Sequence, residues 1–582
     1  MQIDKIEIKN VKGIHELEIK QSILPNRPNI LVASNGYGKS SIAIAFKSLN
    51  NNGICLSKDN RYLNREKNKP FMSIHLTNGI SLTADETTNS ISNVISIFVV
   101  NSQIKAIARP QRFGNTINPN PSLEIEKTIV LQKIPSKNVF EYNYSHIKYS
   151  FGKNKKLLTN ISEVFENPEK IEILENCVDF HNFDLKPYCD SIALALEKIN
   201  DLNGTAGIIR NKIIENDLIC LTPEFNRLRS KISTLFGYSE IDAFFAAWQY
   251  IQVHKTMAGK FRKAIVYRNY LSKKELLDST IAELNPVSDR FKIHSEEHNG
   301  SLIVKWPKAT QVSNGQRDLL TFVTCLMACE FCENDKCILI IDEIFDYLDD
   351  ANLITFQYYI SNLIDRFKKS KRIIFPILLT HLDPNYLKHF CFNDTKLNIC
   401  YLKETKGKIG LEMKKMIQNR EVAEDLKQIL DENYFHFNPN IGNIQFTEIF
   451  KKYRLNIDWA DPKVFLKKVG RQNRAFHLEP DKNYDVVMVC LATRLQIEEL
   501  VYNSLNTDED RHNFLKTHGT KDKLLYAQRN GVIIPETYFL LGIIYNHPLH
   551  EINESTAKAL SIKLENISIK KMLQNLWERK NV

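Results

Sequence analysis

The sequence predicts an α/β protein: a mixed β-sheet with flanking helices, an inserted helical subdomain, and a mostly helical C-terminal region. Three observations predict it. The apolar run NILVA (29–33) passes through a glycine-rich loop, SNGYGKS, into the helical-looking SIAIAF. Further β-branched runs, VISIFVV, CILII and IIFPILL, each end in polar residues, the pattern of strands covered on both faces. Between about 155 and 285, and again from about 420, the period becomes helical and glycines are few.

IDKIEIKNV alternates Ile3, Ile6 and Ile8 with polar residues, and GIHELEIK follows a short turn at Gly13, which reads as two antiparallel strands. NILVA is the strand that feeds the glycine loop. VISIFVV ends at Val100 and places Gln103 just beyond a strand end. The helical block includes the amphipathic stretch IDAFFAAWQYIQVHKTMAGKFRKAIVY, with no heptad sustained long enough for a coiled-coil arm. RFKIHSEEHNGSLIVKW reads as a hairpin turning at Asn299 and Gly300, because an Asn-Gly pair favours the turn that matches strand twist. KCILIIDEIFDYLDD and KRIIFPILLTHLD resume the buried strands, and helical segments complete the chain. The expected organisation is 1–135, 136–285 for the insert, 286–415, and 416–582 for the C-terminal domain.

Composition bounds the class. At 582 residues the chain is long enough for several domains, and 43% hydrophobic with 25% charged residues is the balance of a globular protein. A net charge of +10 spread over this length permits contact with nucleic acid without arguing for it. No run approaches the ~20 apolar residues of a membrane span, and the start MQIDKIEIKN lacks a signal-peptide pattern, so the expectation is a cytoplasmic protein with no membrane contact. The eleven cysteines are read as reduced, buried thiols. Cys325, Cys329 and Cys332 carry an iron–sulfur-like spacing, but i, i+4, i+7 within LLTFVTCLMACEFC places them on one face of an apolar helix.

The chemistry starts at ASNGYGKSS (33–41), which matches the phosphate-binding pattern G-x-x-x-x-G-K-[ST] except that Ala33 stands for the first glycine. Backbone N–H groups at Gly36 and Gly38 and the following helix N-terminus would surround phosphates. Asn35 and Ser41 complete that loop, Lys39 would reach the β- and γ-phosphates of ATP, and Ser40 would ligate Mg2+. A left-handed alanine costs roughly 1–2 kcal/mol, too little for Ala33 to abolish binding. Asp342 closes an apolar strand and can hold the Mg2+ shell, while Glu343 can polarise an attacking water.

ASNGYGKSS, NSQ, VSNGQRDLL, ILIIDEIFDYLDD and LLTHLD together resemble, in order, the motif set of ABC-class P-loop ATPases, in the branch that includes RecF and the structural-maintenance-of-chromosomes (SMC) proteins. KIEIKNVKGIHELEI resembles the opening hairpin of that branch, and the resemblance covers about 1–135 and 285–405. It implies that Gln103 is a Q-loop glutamine near Mg2+ and that Ser313, Gly315 and Gln316 belong to the signature motif, where Asn314 departs from the usual glycine. It further implies that Asp349 is the D-loop acid and His381 the switch histidine. Because the signature of this family completes the partner's ATP site, it implies a homodimer sandwiching two ATP molecules, with higher oligomers open.

A short helical insert and a fused C-terminal domain resemble the ATPases of anti-phage systems, such as the Septu ATPase and the PrrC and RloC anticodon nucleases. Three functions stay open on the sequence. In the first, the ATPase senses infection or nucleic acid and controls a separate effector, a nuclease or toxin, docked on its C-terminal domain. In the second, that domain is itself a ribonuclease: Arg494 and Glu498, at i, i+4 in CLATRLQIEELVYNSL, and His550 resemble the arginine, glutamate and histidine of HEPN-type and anticodon nucleases. An i, i+4 salt bridge and a turn histidine explain the same residues. RQNRAFH, with Arg471 and His477, is either a second such grouping or a solvated basic connector. The third function is RecF-like DNA repair.

Overall fold

The computed structural model describes residues 1–582 apart from 34–35, 102–103, 114–115, 126, 217–221, 285–292, 308–311, 313, 343–349, 382–395, 403–405, 443, 480, 547–553 and 582, and apart from the side chains of 104–113, 116–124, 350–353, 554–555 and 580–581. The chain divides into two compact units, Met1–Asn101 with Asn334–Val582, and Ser102–Glu333. Residues 102–135 and 286–333 fall in the same unit as the helical insert.

In the first unit the longer strands form one parallel and one antiparallel sheet rather than one mixed sheet, and Leu49–Asn50 with Gly53–Ile54 and Gly407–Lys408 with Tyr484–Asp485 form two short pairings among the described residues. A five-stranded sheet has the order Asn398–Tyr401, Asn29–Val32, Ile373–Thr380, Lys336–Asp342, Ser96–Val100, and every neighbouring pair is parallel. A four-stranded sheet has the order Ile14–Ile19, Ile3–Val11, Phe71–Leu76, Ser81–Ala84, with its pairs antiparallel. The helix Lys39–Lys47 shares one core with both sheets. Ile42 and Phe46 are buried with Ile6 and Ile8 of the antiparallel sheet and with Ile338, Ile340, Phe375 and Ile377 of the parallel one. At the opposite end of the strands from the glycine loop, fully buried Asn29 pins three chain segments. Its amide donates to Leu24 O (2.9 Å) and Pro376 O (3.1 Å), and its carbonyl oxygen accepts from Asn398 Nδ2 (2.8 Å).

The C-terminal helices have their own core, built on Tyr434, Phe450, Phe465, Val487 and Leu491. They are joined to the sheet region by a short parallel pairing of Gly407–Lys408 with Tyr484–Asp485. A Cβ at Gly407 would collide with Val486 and Ser561, so only glycine fits there. Asp485 caps the helix Val486–Asn503, accepting from Val487 N (2.9 Å) and Met488 N (3.1 Å), and also accepts from Gly410 N (2.7 Å). RQNRAFH is no connector: it lies inside the helix Pro462–Leu478.

The second unit is mainly helical, with Glu240–Thr256 at its centre. The stretch read as amphipathic is two helices, Glu240–Thr256 and Phe261–Leu284, separated near Gly259, whose φ of +77° is left-handed. Ala243–Ala247 are all fully buried, so the first of these helices is covered on every side. The Phe165 and Tyr250 rings stack at 5.4 Å beside it. The predicted hairpin forms, His294–His298 pairing with Ser301–Lys305 through Asn299 (φ +49°) and Gly300 (φ +76°). Cys325 and Cys329 are buried on the helix Asn314–Phe331.

Candidate functional site

The site is built at the carboxyl ends of the parallel strands, where open α/β sheets bind ligands. Val32 is in register with Thr380, and Asp342 with Leu379, so three neighbouring strands end at one edge. Leu31 and Leu379 also share a register position. Residues paired across parallel strands point to the same face. Leu31, Leu379 and Ile340 face the core that contains the helix Lys39–Lys47, and Asp342, two residues beyond Ile340, lies on that same helix-bearing face. It is 6% exposed.

The glycine loop connects this edge to the helix. Gly36 and Gly38 have φ of +86° and +82°, values that side-chain-bearing residues rarely adopt. A Cβ on Gly38 would stand 3.1 Å from Ile14 Cγ1, whereas nothing lies within 4 Å of the Cβ position at Gly36, which is exposed. The loop is therefore tight against the protein on one side and open on the other. Ala33 has no positive φ, so the left-handed cost weighed for it does not arise. It is buried, and its N–H donates to Thr380 O (3.2 Å), fixing the loop to the next strand.

Lys39 is the first residue of the helix and is 3% exposed, its ammonium donating to Ala33 O (3.0 Å) across its own loop. Ser40 is half-buried beside it. Ser41 turns inward, its hydroxyl accepting from Gly13 N (3.3 Å), which ties the helix to the turn between the first two strands. His381 is exposed directly after Thr380. The Ser40 hydroxyl and the Asp342 carboxylate are hard oxygen donors, a set that fits Mg2+ held jointly with phosphates. Among the described residues no group of three or more histidines, cysteines or acids is gathered as a metal cage.

Asn35, Gln103, Ser313, Glu343, Asp349 and His550 lie outside the described residues. Gly315 and Gln316, both half-buried, open the helix Asn314–Phe331 in the second unit. Buried Arg317 there donates to Asp318 Oδ1 (3.0 Å) and Asn314 Oδ1 (3.1 Å). Sequence reasoning missed this pair, although an Arg-Asp step opening an apolar helix is a legible signal of buried charge.

The C-terminal residues behave differently from the expected pair. Arg494 is 4% and Glu498 0% exposed, and no salt bridge joins them. Arg494 donates to Tyr545 O (2.7 Å). Glu498 accepts from His436 Nδ1 (2.7 Å), Phe437 N (2.9 Å), Thr520 Oγ1 (2.7 Å) and Lys523 Nζ (3.5 Å). Burial alone would push this carboxyl up, but His436, Lys523 and Thr520 together hold it down at about 2. Glu498 is fully buried and Arg494 nearly so. Glu498 is the centre of an internal charge node, and Arg494 is held apart from it by its bond to Tyr545 O.

No family model and no curated protein matches the chain. Among solved structures, it is similar to an Smc head domain with an extended coiled coil bound to the C-terminal domain of ScpA, from Pyrococcus furiosus. The identity is 15%, covering 66% of this chain and 90% of that one, with a TM-score of 0.25. It is also similar to an SmcHead bound to the C-winged helix domain of ScpA, at 13% identity over 66% and 90% of the two chains, with a TM-score of 0.24. Likenesses this distant carry no functional argument. No helix among the described residues is long and apolar enough to cross a membrane.

Proposed function

We propose that this chain is an ATP-binding and ATP-hydrolysing P-loop ATPase of the ABC class, in the SMC/RecF-like branch. One observation carries the reading: a strand ends in a loop with two left-handed glycines, a buried lysine follows at the helix N-terminus, and Asp342 closes a neighbouring strand on the same helix-bearing face. That is a polyphosphate cradle with a carboxylate beside it.

In this reading Lys39 exchanges its bond to Ala33 O for the β- and γ-phosphates, and the backbone N–H groups of Gly36–Ser40 take the remaining phosphate oxygens. Mg2+, when bound, neutralises charge on those oxygens, with Ser40, Gln103 and Asp342 as the residues that would hold it. Glu343 orients and deprotonates the attacking water, and Asp349 and His381 position that water and the γ-phosphate. Ser313, Gly315 and Gln316 complete the site of a second copy, so ATP joins two chains and hydrolysis releases them. This dimer controls a separate effector, a nuclease or toxin, in anti-phage defence, with the C-terminal domain as its docking surface.

Phosphate release with Mg2+-ATP tests the reading. Wild type is expected to turn over, Glu343→Gln to bind ATP while losing at least about 100-fold in rate, and Asp342→Asn to lose turnover to a similar degree. Wild-type turnover no faster than that of Lys39→Ala would overturn it.

A further inference from the structure

The helix Pro462–Leu478 has two faces of opposite character. Pro462, Phe465, Val469, Asn473 and Phe476 are buried against the C-terminal core. On the other side stand Lys467, Arg471 and Arg474, all exposed. At 100° per residue these three fall within about 60° of one another. The helix has no aspartate or glutamate along its 17 residues, and no acidic group pairs with Lys467, Arg471 or Arg474 among the described residues. Some lysines elsewhere on the C-terminal surface are neutralised by neighbouring acids, as Lys452 is by Asp425 (2.7 Å) and Lys451 by Glu448 (3.1 Å).

The ridge continues beyond the helix. His477 stacks on Trp577 with ring centroids 5.0 Å apart and planes inclined by 21°, which fixes the helix Ile567–Asn581 alongside. Lys570 on that second helix is exposed, and its charge acts on His477. Three unpaired cations in a row thus lead to a fourth on a neighbouring element, held in place by an aromatic contact.

We propose that this ridge, Lys467, Arg471, Arg474 and Lys570, is a contact surface for the phosphate backbone of a nucleic acid. Lys467 and Arg474 are separated by about 10 Å along the axis at 1.5 Å per residue, a run of about three phosphates at 3.4 Å per nucleotide of one strand. A row of like charges without interleaved acids costs self-repulsion, which a polyanion relieves by taking the place of its counterions. Arginine adds bidentate phosphate geometry. Neither the ridge nor its charge depends on the nucleotide site.

Fluorescence anisotropy of labelled 30-mers of single-stranded DNA, single-stranded RNA and duplex DNA, titrated with the full chain without ATP over a salt series, tests the proposal. Lys467→Gln/Arg471→Gln/Arg474→Gln is expected to weaken binding at least about 10-fold and to reduce the salt slope by about two to three, at roughly 0.7–0.9 for each phosphate no longer neutralised. A matched triple at exposed lysines of the other unit, Lys186→Gln/Lys198→Gln/Lys212→Gln, removes the same charge and is expected to leave both unchanged. All six side chains are exposed, and equal melting temperatures will verify folding. Equal losses in the two triples would show a general charge effect and overturn the proposal. So would wild-type binding to none of the three probes, or preference for phosphatidylserine vesicles or polyglutamate over all of them.

Discussion

The glycine loop and the Glu498 node both concentrate charge, and they do so in opposite ways. At Glu498 a carboxylate with no exposure is surrounded by donors from four positions, 436, 437, 520 and 523, so the group is satisfied from within. At the loop, two glycines stand in left-handed geometry, and the Gly36 side is open. Lys39 meanwhile bonds a carbonyl of its own loop. A charge satisfied inside stabilises the fold, whereas a loop with an open side leaves room for the proposed nucleotide. Substitutions in the two regions should therefore separate stability from binding.

The largest effect belongs to the node. Glu498→Gln leaves the buried Lys523 ammonium without its counter-charge, and breaking such a pair costs about 3–5 kcal/mol. Urea denaturation is expected to show that loss, while the folded fraction keeps its ATP affinity. The sign of the acid dependence follows from the same group. A carboxyl at about 2, against an ordinary 4.5, contributes stability that is complete above about pH 4.5 and is lost as pH falls toward 2.

Gly38→Ala sharpens the comparison from the other side. A Cβ there meets Ile14 at 3.1 Å and the φ of +82° costs roughly 1–2 kcal/mol. ATP affinity is expected to fall about 10-fold, with a smaller drop in urea midpoint than Glu498→Gln produces. A drop as large as that of the node would erase the distinction.

The smallest effect is at His477. Burial first, then the Lys570 charge, push its imidazole down from 6.5 to about 4. The folded state prefers the neutral ring, so its contribution is complete above about pH 6.5 and is lost as pH falls toward 4. Thermal melts between pH 7 and 5 are expected to show a decline of about 1 kcal/mol, allowing for partial exposure, that is reduced in His477→Phe.

The sequence made the loop region legible because its chemistry is local. Strand, glycines, lysine and the helix that follows are contiguous, and runs such as CILIID announce strands buried on both faces. Asn299 and Gly300 declared their hairpin for the same reason. The node was not legible, because Glu498 takes its partners from residues 62, 61, 22 and 25 positions away. The i, i+4 spacing to Arg494 pointed to a neighbour it does not pair with. Nor did the sequence reveal the strands Ile104–Phe113 and Thr116–Ile125, where Pro110 pairs opposite Pro119, since proline weighs against any strand reading. The full burial of Ala243–Ala247 was hidden too, because a helix's central place in a core is a tertiary property.

Whether the glycine loop takes up nucleotide is decided by calorimetric titration of Mg2+-ATP into the wild-type chain and Lys39→Ala. Wild type is expected to take up one ATP per chain, and Lys39→Ala to bind at least about 100-fold more weakly at an unchanged melting temperature. No uptake by wild type, or equal affinity in the two proteins, would contradict the ATPase reading.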